Sequence, residues 1–175
     1  MALPSGTKLG PYEIPSQLGA SPDAVSAGGA QIERDSKGNF LYEEGFTYWG
    51  PSHVEPRPKY RNIIKKIVGN HRGTPDFSSD ASSASPVAIY SQYGCGGWCE
   101  VAGTSVSSPT LAGIINAAGE FNASTNAELT EAYKEYGNPK EYKADWTDST
   151  RGGNECTKGW DFCSGIGSPK TYKGK

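Results

Sequence analysis

The sequence predicts an α/β domain. Segments rich in β-branched and aromatic residues alternate along the chain with segments of helical apolar period. Apolar residues make up only 35%, while Gly (23) and Pro (12) are abundant, so long loops should join compact elements. At 175 residues the chain suffices for one domain with its own core. No internal repeat and no second domain can be read in it.

The elements follow in order. Residues 1–23 carry Pro4, Pro11, Pro15 and Pro22 and read as extended loop. "AVSAGGAQIE" (24–33) reads as a short strand, a glycine turn and a second strand. "NFLYEEGFTYWG" (39–50) is aromatic and β-prone. In "KYRNIIKKIV" (59–68), Tyr60, Ile63, Ile64 and Ile67 recur at helical spacing. "SPVAIYSQY" (85–93) reads as a strand, with Gly94–Gly97 turning after it. Beyond Ser105, Leu111, Ile114, Ile115 and Ala118 mark a helix whose many small residues suit close packing in a core. Pro109 falls early in it, where a missing N–H costs least. A further helix is expected at about 127–136, capped by Asn126, faced by Leu129, Ala132, Tyr133 and Tyr136, and ended by Gly137. From 144 onward the chain is polar, Gly-rich and loop-like.

Composition narrows the function. A formal net charge of −2 argues against a nucleic-acid or anionic-membrane partner. No apolar run approaches the ~18 residues of a membrane span. The opening "MALPSGTKLGPYEIP" lacks the basic and apolar regions of a signal peptide. The four cysteines form two close pairs, Cys95/Cys99 and Cys156/Cys163. Of the three possible connectivities, local pairing is the simplest, and only the first pair has the spacing of a zinc knuckle. Disulfides imply an oxidising compartment, which agrees with the absent signal peptide if the chain is a piece of a longer secreted precursor. Asn122-Ala123-Ser124 is a glycosylation sequon.

The chemistry centres on "EVAGTSVSSPTLAGIINAAG" (100–119). A serine in the first turn of a helix is most often a cap. The same place also suits a nucleophile, because free N–H groups and the positive end of the helix dipole stabilise an oxyanion. Gly103 lets a substrate backbone come close. Ser107 and Ser108 read as polar groups of the helix start.

"GTSVSSPTLAGIINA" resembles the nucleophile segment of the subtilisin-like clan, G-T-S-x-[AS]-x-P before a buried helix. Within that clan, "GWDFCSGIGSP" (159–169) resembles the C-terminal G-W-D-x-x-[ST]-G-x-G-x-P segment of the sedolisins, the serine-carboxyl peptidases. "RGTPDFSSDA" (72–81) is similar to their R-G-x-P-D stretch, and "EEGFTYWGPSHVEPRPKYRNIIKKI" to their aromatic segment before a Pro-rich loop and helix. The matches stand in the family's order across roughly residues 20–169. The resemblance implies a subtilisin-like parallel-sheet catalytic domain, present as its C-terminal portion, with Ser105 as nucleophile and a secreted habit.

That family activates its serine with a glutamate oriented by an aspartate, and serves the oxyanion with another aspartate from an S-G-D-type segment. All three lie upstream of the part that resembles this chain, so the chain alone is expected to be inactive. Within it, Glu141 and Asp145 have i, i+4 spacing but follow the serine. His71 in "NHRGT" reads as an exposed loop histidine, and His53 sits in a Pro-rich loop. Asp76 and Asp80 read as structural carboxylates.

In "ADWTDSTRGGNECTKGWDFCSGIG", Asp145 and Asp161 flank a Gly-rich loop whose oxygen donors suit calcium. The ordinary alternative is that both make turn hydrogen bonds. The resemblance implies one calcium held by Asp145, the carbonyls of Trp146, Thr157 and Gly159, and Asp161. Thr157 stands where the family usually has Gly, so its carbonyl serves only if the backbone needs no positive φ. Cys156–Cys163 would clamp this loop. The expected function is a serine-type endopeptidase acting on peptide or protein substrates at acid pH, with the remaining N-terminal part of the domain as a partner. The alternative is a calcium-stabilised binding module without catalysis.

Overall fold

The computed structural model describes residues 24–153 and 155–174, and two short paired strands, β1 (Lys8–Leu9) and β2 (Tyr12–Glu13). The rest of the expected 1–23 loop lies outside the described residues.

The central sheet has three strands in the order β4-β3-β7. Strand β3 (Ala27–Arg34) pairs antiparallel with β4 (Phe40–Gly45) and parallel with β7 (Phe77–Asp80). The sheet is therefore mixed rather than purely parallel. Gly28 and Gly29 do not turn the chain, as the sequence suggested, but lie inside β3. Close approach explains them: a Cβ on Gly28 would meet Ser78 Oγ at 2.5 Å and Pro75 Cγ at 2.7 Å.

Between these strands, β5 (Pro51–Pro56) pairs with β6 (His71–Gly73) around a helical segment. That segment is 3₁₀ over Lys59–Ile64 and continues as α1 (Lys65–Val68). After β7, β8 (Val87–Ser91) and β9 (Gly97–Val101) form a separate two-stranded hairpin. Strand β9 was not expected, because Gly97 read as the end of the turn and residues 98–101 were given no element. Helix α2 (Thr104–Ala118) packs on β3 and β7. Its inner face carries Val106, Ser107 and Leu111, while Pro109, Ala112, Gly113 and Ala117 are exposed. The expectation of a helix surrounded by core thus holds on one face only.

Helix α3 (Thr125–Tyr136) is capped by Ser124, whose Oγ accepts from Ala127 N at 3.2 Å, and not by Asn126. α4 (Pro139–Asp145), unmarked by a clear apolar period, is set up by Asn138 as cap and Pro139 in the first turn. The chain closes through β10 (Trp146–Thr147), a long loop and β11 (Ser168–Pro169), which pair antiparallel. The core gathers Ile64, Val68, Phe77, Leu111, Leu129, Tyr133, Trp146, Trp160 and Ile166. These come from every layer, so the terminal loop is part of the core through Trp160 and Ile166.

Candidate active site and C-terminal loop

Ser105 stands exposed in the first turn of α2. Gly103, at φ 105° and ψ 166°, precedes the helix and brings no capping side chain. Its positive φ needs glycine. Gly103 N donates to Ala81 O at 2.6 Å, which ties the helix start to the end of β7. The first hydrogen bond of the helix runs from Val106 N to Gly103 O, 2.9 Å, so the N–H groups before it are left for another acceptor. No described residue hydrogen-bonds Ser105 Oγ.

Two residues on, Ser107 is fully buried. Its Oγ donates to Gly28 O at 2.6 Å and accepts from Ser79 N at 3.1 Å. A single hydroxyl therefore binds α2 to both β3 and β7. The sequence offered Ser107 as a helix-start polar group; its role is to fix the register of the serine helix on the sheet. The small-residue place in G-T-S-x-[AS] was the signal for it.

A cleft of about 490 Å³ opens beside the helix start. Its walls come from Val25 and Ser26 leading into β3 at Ala27, the segment Trp49–Ser52, Thr74, and Thr104 and Ser108 of α2. Thr104 and Ser108 share a helix face at i, i+4, and Ser105 lies at its edge. His53 and His71 are exposed, on β5 and β6. Asp80 accepts from Ser85 Oγ at 2.6 Å. Asp145, at the end of α4, accepts from Thr171 Oγ1 at 2.8 Å. None of these bonds to Ser105.

Asp76 belongs to a buried ionic cluster behind the cleft. Its carboxylate pairs with Arg61 Nη2 and, at 2.7 Å, with Arg72 Nη2, and accepts from Ser26 N at 2.8 Å. Both guanidinium groups and the carboxylate are fully buried. Two cations share one anion. The surplus is met by rings: Arg61 lies 5.1 Å from the centroid of Tyr133 and 5.9 Å from that of Trp160. The sequence missed both arginines, although Arg72 and Asp76 stand four apart in one motif.

The C-terminal loop is closed by Cys156–Cys163, and the hairpin tip by Cys95–Cys99. This is the local connectivity. Asp161 organises the loop. Oδ1 accepts from Cys163 N (3.0 Å), Ser164 N (2.8 Å) and Ser164 Oγ (3.2 Å), and Oδ2 from Thr157 N (2.6 Å). Burial nonetheless holds its carboxyl above the usual range, against the lowering effect of those donors. Asp148, whose Oδ2 accepts from Gly159 N at 2.9 Å, is also raised by burial. Thr157 has no positive φ, so its backbone tolerates the side chain that replaces glycine. Neither the Thr157 nor the Gly159 carbonyl accepts a hydrogen bond from another described residue. The oxygen-only donor set therefore fits a hard cation chemically. Among the described residues no three His, Cys, Asp or Glu side chains converge as a metal cluster, so carbonyls would have to complete such a site.

No protein-family model matches the chain. Kumamolisin from a Bacillus species is 29% identical over 175 residues, covering 86% of this chain and 30% of that protein. A probable tripeptidyl-peptidase, SED2, from Arthroderma benhamiae is 29% identical over 138 residues, covering 71% of this chain and 22% of its own length. In structure, the chain matches Pseudomonas sedolisin, a serine-carboxyl proteinase solved with two molecules of pseudo-iodotyrostatin. The TM-score is 0.73 at 22% identity, over 87% of this chain and 45% of that one. The chain thus spans less than half the length of each of these relatives. The chain therefore has the subtilisin-like fold of sedolisin, corresponding to the C-terminal portion of that solved domain, and is similar over most of its length to two sedolisin-family peptidases.

Proposed function

We propose that this chain carries the nucleophile and part of the substrate cleft of a sedolisin-type serine endopeptidase that works at acid pH. The observation supporting this reading is the placement of Ser105: exposed, on an uncapped helix start, directly after Thr104, which lines a cleft. Ser105 Oγ would add to the scissile carbonyl as its proton passes to a carboxylate. The tetrahedral oxyanion would meet the free N–H groups of α2. A carboxylate base stays ionised at pH values where imidazole is protonated, which suits acid conditions.

The described residues place no carboxylate on Ser105, so the base and the oxyanion aspartate are assigned to a polypeptide matching the N-terminal part of the sedolisin domain. The chain by itself should then fall short by the ~10⁴–10⁶-fold that loss of catalytic partners brings. A peptide-hydrolysis assay at acid pH tests this, with and without that N-terminal part added in trans. The expected result is turnover only in the mixture, abolished by Ser105→Ala. Turnover by the chain alone that survives Ser105→Ala overturns the reading.

The same reading includes one calcium ion in the C-terminal loop. Asp145 and Asp161 with the carbonyls of Trp146, Thr157 and Gly159 would hold it. The ion would supply cross-linking of α4 to the loop rather than chemistry at the serine. A ligand that binds only the native state adds about 2.7 kcal/mol at a hundredfold excess over its Kd. Asp145→Asn is the clean probe, because an amide oxygen can still accept from Thr171. Its Tm should match the parent in chelator and lose the calcium response. A parent Tm indifferent to calcium at neutral pH removes the ion from the proposal.

A further inference from the structure

The sequon Asn122-Ala123-Ser124 lies in the connection between α2 and α3, away from the serine end of α2. Beside it is a hollow of about 180 Å³ with an apolar floor from Val25, Ile115 and Phe121 and a polar wall from Glu128. Phe121, directly before Asn122, is 68% exposed. Asn122 Nδ2 donates to Glu128 Oε2 at 2.6 Å and more loosely to Glu131 Oε2 at 3.2 Å. A substituted amide keeps one N–H, enough for the shorter bond. The two disulfides place the fold in an oxidising compartment, which is also where such sequons are modified.

We infer that Asn122 is an N-glycosylation site whose first N-acetylglucosamine covers Phe121 and fills the hollow beside it. The apolar face of a pyranose ring suits a bare aromatic face, and its polar rim suits Glu128 and solvent. The donor is a lipid-linked oligosaccharide pyrophosphate. Asn122 Nδ2 forms a bond to the anomeric carbon as the bond from that carbon to the pyrophosphate oxygen breaks. The leaving pyrophosphate keeps the electron pair, the amide gives up one proton, and nothing is oxidised or reduced. In the fold, Ser124 Oγ is engaged as the α3 cap. Transfer therefore takes place on the chain before α3 forms.

The test is secretion of the full chain from a eukaryotic host behind a cleavable leader, read by intact mass. The parent and Ser124→Thr, which keeps a capping hydroxyl, should carry a glycan removed by a peptide amidase. Asn122→Gln, which keeps a donor for Glu128, should carry none. Loss of the glycan, read as glycosylated protein against the Asn122→Gln variant so that no new carboxylate faces Glu128, should lower the Tm by a few degrees in the parent and leave it unchanged in a Phe121→Ala background. Secreted parent at its bare polypeptide mass overturns the assignment. A glycan whose loss shifts both backgrounds equally overturns its seat on Phe121.

Discussion

Asp76 is the residue on which the most structure depends. Its backbone joins the start of β3, with Asp76 N donating to Ser26 O at 2.8 Å, and its carbonyl accepts from Ile166 N at 2.8 Å in the terminal loop. Its side chain is the only carboxylate that the described residues set against Arg61 and Arg72. Removing one partner of a buried ion pair leaves uncompensated charge, which typically costs about 3–5 kcal/mol. Here two guanidinium groups would lose their anion together. Asp76→Asn should therefore unfold at markedly lower denaturant with an unchanged m-value, as measured by urea titration. A shift below about 1 kcal/mol would show that the rings around Arg61 and solvent entry carry the charge instead. Ser107 works on the same principle at lower stakes, since its neutral hydroxyl bridges two strands.

At the scale of elements, the β8–β9 hairpin differs from the rest. It has no third strand and exposes Tyr90, Tyr93 and Trp98. An isolated hairpin is marginal in water. This one is held by a Tyr90–Trp98 edge contact, with centroids 5.6 Å apart, and by Cys95–Cys99 across its tip. Closing so short a loop contributes about 2 kcal/mol on the chain-entropy account. Hydrogen exchange should find that the double variant Cys95→Ser, Cys99→Ser loses protection over 87–101. The central sheet should keep its protection, because the core excludes the hairpin. Loss of protection throughout would mean that the hairpin stabilises the start of α2 through the Gly103–Ala81 bond.

For the molecule as a whole, buried carboxyls set the response to pH. Glu43 on β4 lies under the terminal segment, where Ser149 Oγ donates to its Oε2 at 3.1 Å. Burial raises its pKa above the ordinary 4.5, with Asp80 adding to the rise, and Ser168, Ser149 and Lys170 opposing it. The folded state thus binds the proton more tightly than the unfolded chain. The stability this gives is fully present below pH 4.5 and is lost as pH rises through the folded value. The Tm should climb as pH falls from neutral toward that value, and Glu43→Gln should flatten the slope while raising the Tm at neutral pH. A variant that keeps the parent slope would assign the effect to other carboxyls. Calcium, if bound, acts in the opposite sense, because its ligands must be ionised.

The sequence by itself determined what is local or carried by a motif. It specified the start of α2 at Ser105, the helical segment at 59–68, the strand at 85–93 and the family that the chain resembles. The spacing of the cysteines made local pairing the simplest choice, and the fold has it. Only the tertiary structure decided the rest. Gly28 and Gly29 read as a turn until Ser78, Pro75 and Ala81 pressed against them in the sheet. Ser107 read as one of several hydroxyls until the sheet supplied Gly28 O and Ser79 N. Arg61 lay on a helix with other basic residues, and nothing local told that it alone would turn inward to Asp76. The reason is physical. Caps, periods and short loops are set by neighbours in sequence, whereas close approach, hydrogen-bond satisfaction and charge burial depend on groups that only folding brings together.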